Sequence, residues 1–185
     1  GEYPGRLRVL PLDVANDKSR AELVRELPLV CERIDLLVNN AGVLHSGERF
    51  GELSSAHLED SFRINAGGPL LLTQALAPTL ADGATVANLS SMLGSIAGTA
   101  QFGTPSYNIS KAAQNMATVL LAHALRDRGI KVVALHPGWV QTDMGGAGAQ
   151  LAPADAVTGM LKVIDGLRPQ DSGRFIDWCG EAMVW

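Results

Sequence analysis

The chain has almost no cysteine. Cys31 and Cys179 are its only two, far apart and without Cys-x-x-Cys spacing. Neither a disulfide framework nor a thiol-based zinc site follows from them; ordinary packing thiols of a reducing compartment are the expectation. Basic charge is not in excess either: 15 Lys and Arg stand against 19 Asp and Glu, a net charge of −4. A phosphate-backbone binder carries a basic surplus or stripe, so nucleic acid is excluded as an expected partner. No apolar run approaches the roughly 18 residues of a membrane span. The longest candidate, Met116 to Leu125, is interrupted by Thr118 and His123. Gly1 to Arg6 offers no apolar signal-peptide core and no initiator methionine. His45, His57, His123 and His136 lack metal-ligand spacing, so no metal is expected. Repeats, low-complexity tracts and long linkers are absent, and residues 1–185 read as a single domain.

What is present suits a folded core: hydrophobic residues make up 46% and charged residues 18% of the 185 positions. Arg8 to Asp13 reads as a short strand and Asp17 to Leu27 as an amphipathic helix. Ile34 to Val38 is an apolar run but for Asp35, the pattern of a parallel strand covered on both faces. A long helix is expected over 55–80, and a strand over Ala84 to Leu89. A Gly/Ser-rich loop precedes a strong helix over Tyr107 to Arg128. Its apolar positions are Ala112, Ala113, Met116, Val119, Leu120 and Ala124, and Gly129 stops it. Strand Ile130 to Leu135, helix Pro153 to Leu167 and strand Arg174 to Asp177 complete the chain. This alternation implies βαβ units and a parallel sheet, an α/β fold.

In such sheets ligands bind beyond the carboxyl ends of the strands. Here those ends carry Asp13, Asn39-Asn40-Ala41-Gly42, Ser90-Ser91 and Pro137-Gly138, segments that ordinary turns would also explain. Tyr107 and Lys111 stand four apart at a helix start, hence on one face. A tyrosine phenol is a poor base near neutrality, with a pKa of about 10; a neighbouring ammonium favours its phenolate. The pair alone also fits a surface contact of little weight. Ser91 lies 16 residues upstream at a strand end, and Asn65 lies on the helix before that strand. All four therefore point to one crevice.

Together these segments resemble the short-chain dehydrogenase/reductase family, within it the carbonyl-reductase-like branch that includes sniffer and C-factor proteins. In chain order they are Asp13-Val14, Asn39 to Gly42, Asn65, Asn88 to Gly94, Tyr107 to Lys111, Pro137 to Thr142 and Gly173 to Trp178. The resemblance spans essentially the whole chain. It implies a Rossmann-like, doubly wound parallel sheet and an NADP or NAD cofactor. It implies reduction of a ketone or aldehyde, or oxidation of the matching alcohol, by hydride transfer. Tyr107 is then the acid/base, Ser91 (three before Gly94) holds the substrate oxygen, and Ser90 supports the loop. Lys111 lowers the Tyr107 pKa and binds ribose, and Asn65 belongs to a proton relay. Val140 and Thr142, with Pro137 and Gly138, flank the nicotinamide. Asp13 and Val14 meet the adenine, and Asn40, Ala41 and Gly42 line the adenosine side. A small-molecule substrate, a cytoplasmic setting and a homodimer or homotetramer built on helices 55–80 and 107–128 are also implied, although burial within one chain accounts for the same apolar pattern.

The family's opening strand, Thr-Gly-x-x-x-Gly-x-Gly turn, helix and second strand find no match here. The resemblance thus implies a chain lacking the first strand-helix-strand unit, about 40 to 50 residues. Its sheet is expected to split, or Arg8 to Asp13 to shift beside Ile34 to Val38. An inactive fragment, or a non-catalytic binding or regulatory relative, is the alternative. An epimerase or dehydratase of the extended branch would need a larger segment after Pro137.

Overall fold

The computed structural model describes residues 7–185; Gly1 to Arg6, read above as no signal peptide, lie outside them. Four strands form one parallel sheet in the order β1-β2-β3-β4. They are β1 Ile34–Asn39, β2 Leu80–Leu89, β3 Lys131–His136 and β4 Phe175–Asp177. Parallel strands need crossover connections, and helices supply them. Among these are α1 Asp17–Glu26, α2 Ser55–Phe62, α3 Gly68–Leu76, α4 Pro105–Ala124 and α5 Pro153–Asp165. Alternate strand residues face opposite layers. Val86 and Val132 pack with Leu121 and Ala122 of α4 on one face. Ala87, Val133 and Leu135 pack with Met160, Val163 and Ile164 of α5 on the other. The doubly wound α/β class expected from the sequence is what the chain adopts.

Several elements differ from expectation. Arg8 to Asp13 forms no strand, and the sheet neither splits nor takes that segment beside β1. A strand needs a neighbour for its N–H and C=O groups, and none lies against this segment, whose Val9 and Leu12 are exposed. β1, expected to be central, is an edge paired only with β2, with Leu36 and Val38 partly in solvent.

The helix expected over 55–80 is two helices joined by a π-helical segment, Arg63–Gly67. Pro69 opens α3, where its missing N–H costs nothing. Pro78 has no N–H to continue the helical ladder; α3 ends at Leu76 and β2 begins at Leu80. α4, expected over Tyr107 to Arg128, begins two residues earlier at Pro105 and ends at Ala124; a separate turn over Arg126–Arg128 follows, which Gly129 closes at φ 65°. Its buried face is not the expected one, however. Met116 and Leu120 are exposed, whereas Ser110, Lys111, Gln114, Asn115 and Thr118 are buried beside Ala117 and Leu121.

The turn after β2, Met92–Gly94, lies hard against α4. A Cβ added at Gly94 would sit 2.8 Å from both the carbonyl carbon and the Cβ of Lys111. Gly94→Ala is therefore expected to force turn and helix apart and cost about 1–3 kcal/mol of stability, read as a lower midpoint in urea unfolding.

Candidate active site at the strand ends

The carboxyl ends of the strands and the first turns of α4 bring Asn65, Ser91, Tyr107 and Lys111 together. Asn65 is completely buried in the π-helical segment. Such segments place a side chain off the regular helical repeat and often occur at functional sites. The Asn65 amide donates to Val43 O at 2.8 Å and to Ser110 Oγ at 2.9 Å, and its Oδ1 accepts from Val43 N at 2.8 Å. It thereby fastens the segment after β1 to α4, and Ser110 in turn donates to Tyr107 O at 2.7 Å.

Tyr107 is buried. Burial pushes the phenol above its ordinary value, and the nearby Ser91 side chain opposes this only in part. Lys111 does not bring about the expected lowering. Its Nζ stands 5.7 Å from the centre of the Tyr107 ring. There it donates to Leu89 O at 2.6 Å and Gln114 Oε1 at 2.9 Å. The physical reason is desolvation of the phenolate, which is the largest cause of the shift, and no lowering by Lys111 accompanies it. Burial likewise lowers the Lys111 pKa to about 8. An ammonium has three donors, so one remains beyond the two bonds described. Gly42 borders this point: a Cβ there would lie 3.3 Å from Asn65 Oδ1 and 3.9 Å from Lys111 Nζ.

The other expected site residues are placed less tightly. Asn40 and Ala41 are exposed just past β1. Pro137 and Gly138 follow β3, and Val140 forms an isolated bridge with Leu151. Thr142 is exposed, its Oγ1 accepting from Gly145 N at 3.1 Å. The Gly145–Gly148 stretch is folded back on Trp139, whose indole N–H donates to Gly145 O at 2.8 Å. Asp13 is occupied locally, accepting from Ala15 N at 2.9 Å, and Val14 packs on Gly68 of α3. These two are not drawn into the Tyr107 cluster by any bond they make.

Residues that sequence reasoning missed complete the site's floor. Asn39 donates to Asn88 Oδ1 at 2.7 Å, and Asn88 donates to Thr118 Oγ1 at 2.9 Å. Ser90, expected to support the loop, donates to Asn115 Oδ1 at 2.6 Å. His136 Nδ1 accepts from Met92 N at 3.4 Å beside Ser91. Burial lowers the His136 pKa against the raising effect of Asp177. The spacing of Ser110, Gln114, Asn115 and Thr118 along one helical face was a usable signal, but only for a helix known to meet polar strand ends. Among the described residues, no group of His, Cys, Asp or Glu is arranged to hold a metal ion.

Lys111 also makes stability depend on pH. Its native pKa of about 8 lies below the ordinary 10.5. Between those values the unfolded chain binds more protons, so stability rises with pH there. Wild type is expected to gain on Lys111→Met by up to about 1.4 kcal/mol per pH unit between pH 8 and 10, measured by urea unfolding at each pH. Above that window the raised Tyr107 pKa works in the opposite sense.

Comparison with known proteins agrees with this architecture. A family model described as Enoyl-(Acyl carrier protein) reductase matches residues 2–169. The C-signal of Myxococcus xanthus is 47% identical over 154 residues, covering 82% of this chain and 93% of the relative. The 1-hydroxy-2-glutathionyl-2-methyl-3-butene dehydrogenase of Rhodococcus sp. (strain AD45) is 35% identical over 178 residues, covering 94% and 78%. Among solved structures, the carbonyl reductase Sniffer of D. melanogaster superposes with a TM-score of 0.91 at 31% identity, covering 96% of this chain and 78% of that one. The NADPH-bound carbonyl reductase from chicken fatty liver gives 0.90 at 37% identity, covering 97% and 77%. By its sequence and by its fold, the chain belongs to the short-chain dehydrogenase/reductase family, a family of oxidoreductases.

Proposed function

We propose that this chain interconverts a carbonyl and an alcohol with NAD(P), with Tyr107 as the proton-transfer group. The observation that carries the reading is the buried phenol with the Lys111 ammonium over its ring and the Ser91 side chain nearby. The NADPH bound to the chicken carbonyl reductase supports the choice of cofactor. When bound, the nicotinamide supplies or accepts the hydride.

The protein's own residues do the rest. A raised pKa keeps Tyr107 protonated near neutrality, ready to give its proton to a carbonyl oxygen. Ser91 holds the same oxygen, placing a donor where negative charge develops. Lys111 offers its remaining N–H to a ribose hydroxyl. Asn65 has both amide hydrogens committed, so its part in a proton relay rests on the second lone pair of Oδ1. Gly42, Asn40 and Ala41, with Pro137, Gly138, Val140 and Thr142, would border the cofactor on either side, and Asp13 and Val14 its adenine. The residues at the strand ends fit a ribose and nicotinamide; the sequence contains no Gly-rich turn to cradle a pyrophosphate.

The similarity to a protein named C-signal favours a second reading, a binding or regulatory role without turnover. Titration with NADPH and NADH, followed by nicotinamide fluorescence, decides between them. Saturable binding weakened in Lys111→Ala is expected. With carbonyl substrates, Tyr107→Phe should then lose about 10²–10⁴-fold in turnover. A folded chain that binds neither nucleotide would sink the catalytic reading.

Self-association is part of the proposal. Phe62 of α2 and Ile109, Met116 and Leu120 of α4 are apolar and more than half exposed, so burial within one chain does not account for them. Met116→Lys is expected to lower the mass measured by sedimentation equilibrium.

A further inference from the structure

Helix α4 carries Tyr107 in its first turn, and that turn has an unusual cap. The first N–H groups of a helix need partners from outside it. Thr104, at the cap position, stands in the left-handed region at φ 40° and gives the helix no side-chain cap. Its hydroxyl instead donates to Asn108 Oδ1 at 3.0 Å. Pro105 has no N–H. The first donor is therefore Ser106, buried and adjacent to Tyr107.

Its partner comes from 58 residues away. Glu48 Oε2 accepts from Ser106 N at 3.1 Å and from Ser106 Oγ at 2.7 Å. The Glu48 side chain is only 3% exposed. Burial pushes its pKa up, but the two Ser106 bonds and His57 together outweigh this, and the net direction is down. The result is a buried anion at the positive end of a helix, where an anion is favoured.

Glu48 is itself braced. His57 Nδ1 lies 3.6 Å from Glu48 Oε1. The His57 ring stacks on His45 with centroids 4.1 Å apart and planes 4° from parallel. His45 Nε2 is in turn 3.0 Å from Asp60 Oδ2. The succession Asp60, His45, His57, Glu48, Ser106 thus leads from α2 to the neighbour of Tyr107, its His57–Glu48 step longer than a hydrogen bond.

We propose that Glu48 is a positioning residue for Tyr107, gripping the first turn of α4 from the loop after β1. The proposal rests on the reading of Tyr107 as the proton-transfer group. Removing the carboxylate leaves two buried Ser106 donors unpartnered, which buried polar groups rarely tolerate. The turn then opens and the phenol gains water.

The test exploits the chain's having only two tyrosines, Tyr3 and Tyr107. In a Tyr3→Phe background, tyrosine labelled with ¹³C at Cζ reports the ionisation of Tyr107 alone by NMR. The parent is expected to titrate above the ordinary value of about 10. Glu48→Ala should bring the transition down toward that value, and Glu48→Gln, which keeps an acceptor for Ser106 N–H, should fall between. An unmoved transition in folded Glu48→Ala overturns the proposal. If that variant does not fold, an unmoved transition in Glu48→Gln overturns it instead. Equal shifts in both variants would assign the effect to the carboxylate's field rather than its grip, and overturn the positioning role. The titration needs neither cofactor nor substrate. Failed turnover with the expected shifts would sink the reaction while leaving the positioning intact.

Discussion

Polar side chains at the strand ends must find partners once buried, and α4 is where they find them. A buried, unpaired amide or hydroxyl costs more than most single contacts return. Asn65, Asn88 and Ser90 all meet hydrogen-bonding side chains on α4. Ser110, Lys111, Gln114, Asn115 and Thr118 form that buried polar stripe. It fixes the rotation of α4 about its axis, and that rotation sets where Tyr107 points. Apolar burial alone would not do so, because Met116 and Leu120 are left outside. The amide of Gln114 is used at its oxygen only, its Nε2 having no partner. The stripe is therefore tuned to Lys111 rather than fully satisfied.

Much of this was legible beforehand. The alternation of apolar runs and helical segments gave the parallel sheet, because period 2 and period 3.6 are hard to confuse over long segments. Tyr107, Lys111, Ser91 and Asn65 could be assigned to one crevice because strand ends share one edge of a parallel sheet. What could not be read was anything depending on a partner distant in sequence. The helix over 55–80 concealed a π-helical segment, although Gly67, Gly68 and Pro69 marked the spot. The apolar positions of α4 suggested a core face that the polar stripe displaced. Nothing in the sequence singles out Glu48; only the fold places it against Ser106. The expected effect of Lys111 on Tyr107 failed for a related reason, since spacing says nothing of desolvation.

β1 shows how strongly a strand depends on its neighbours. Its sequence is that of a fully covered strand, yet one of its edges is unpaired. Leu37 packs into the α4-side core, whereas Leu36 and Val38 on the opposite face are partly in solvent. Unpaired strand edges invite pairing with other chains. The hydrophobic code for a strand and its actual surroundings thus disagree at this one place. Arg8 to Asp13, with a strand-like sequence and no ladder, disagrees in the opposite way.

The π-helical turn at Asn65 has a consequence for phase. A π-helical turn closes its hydrogen bonds one residue later than an α-helical one, so the helix that leaves it is rotated relative to the helix that entered. α2 therefore packs on α4, while α3 shares its packing among α1, α4 and β2. The extra residue works as a gear between two packing interfaces, and Asn65 sits at its pivot.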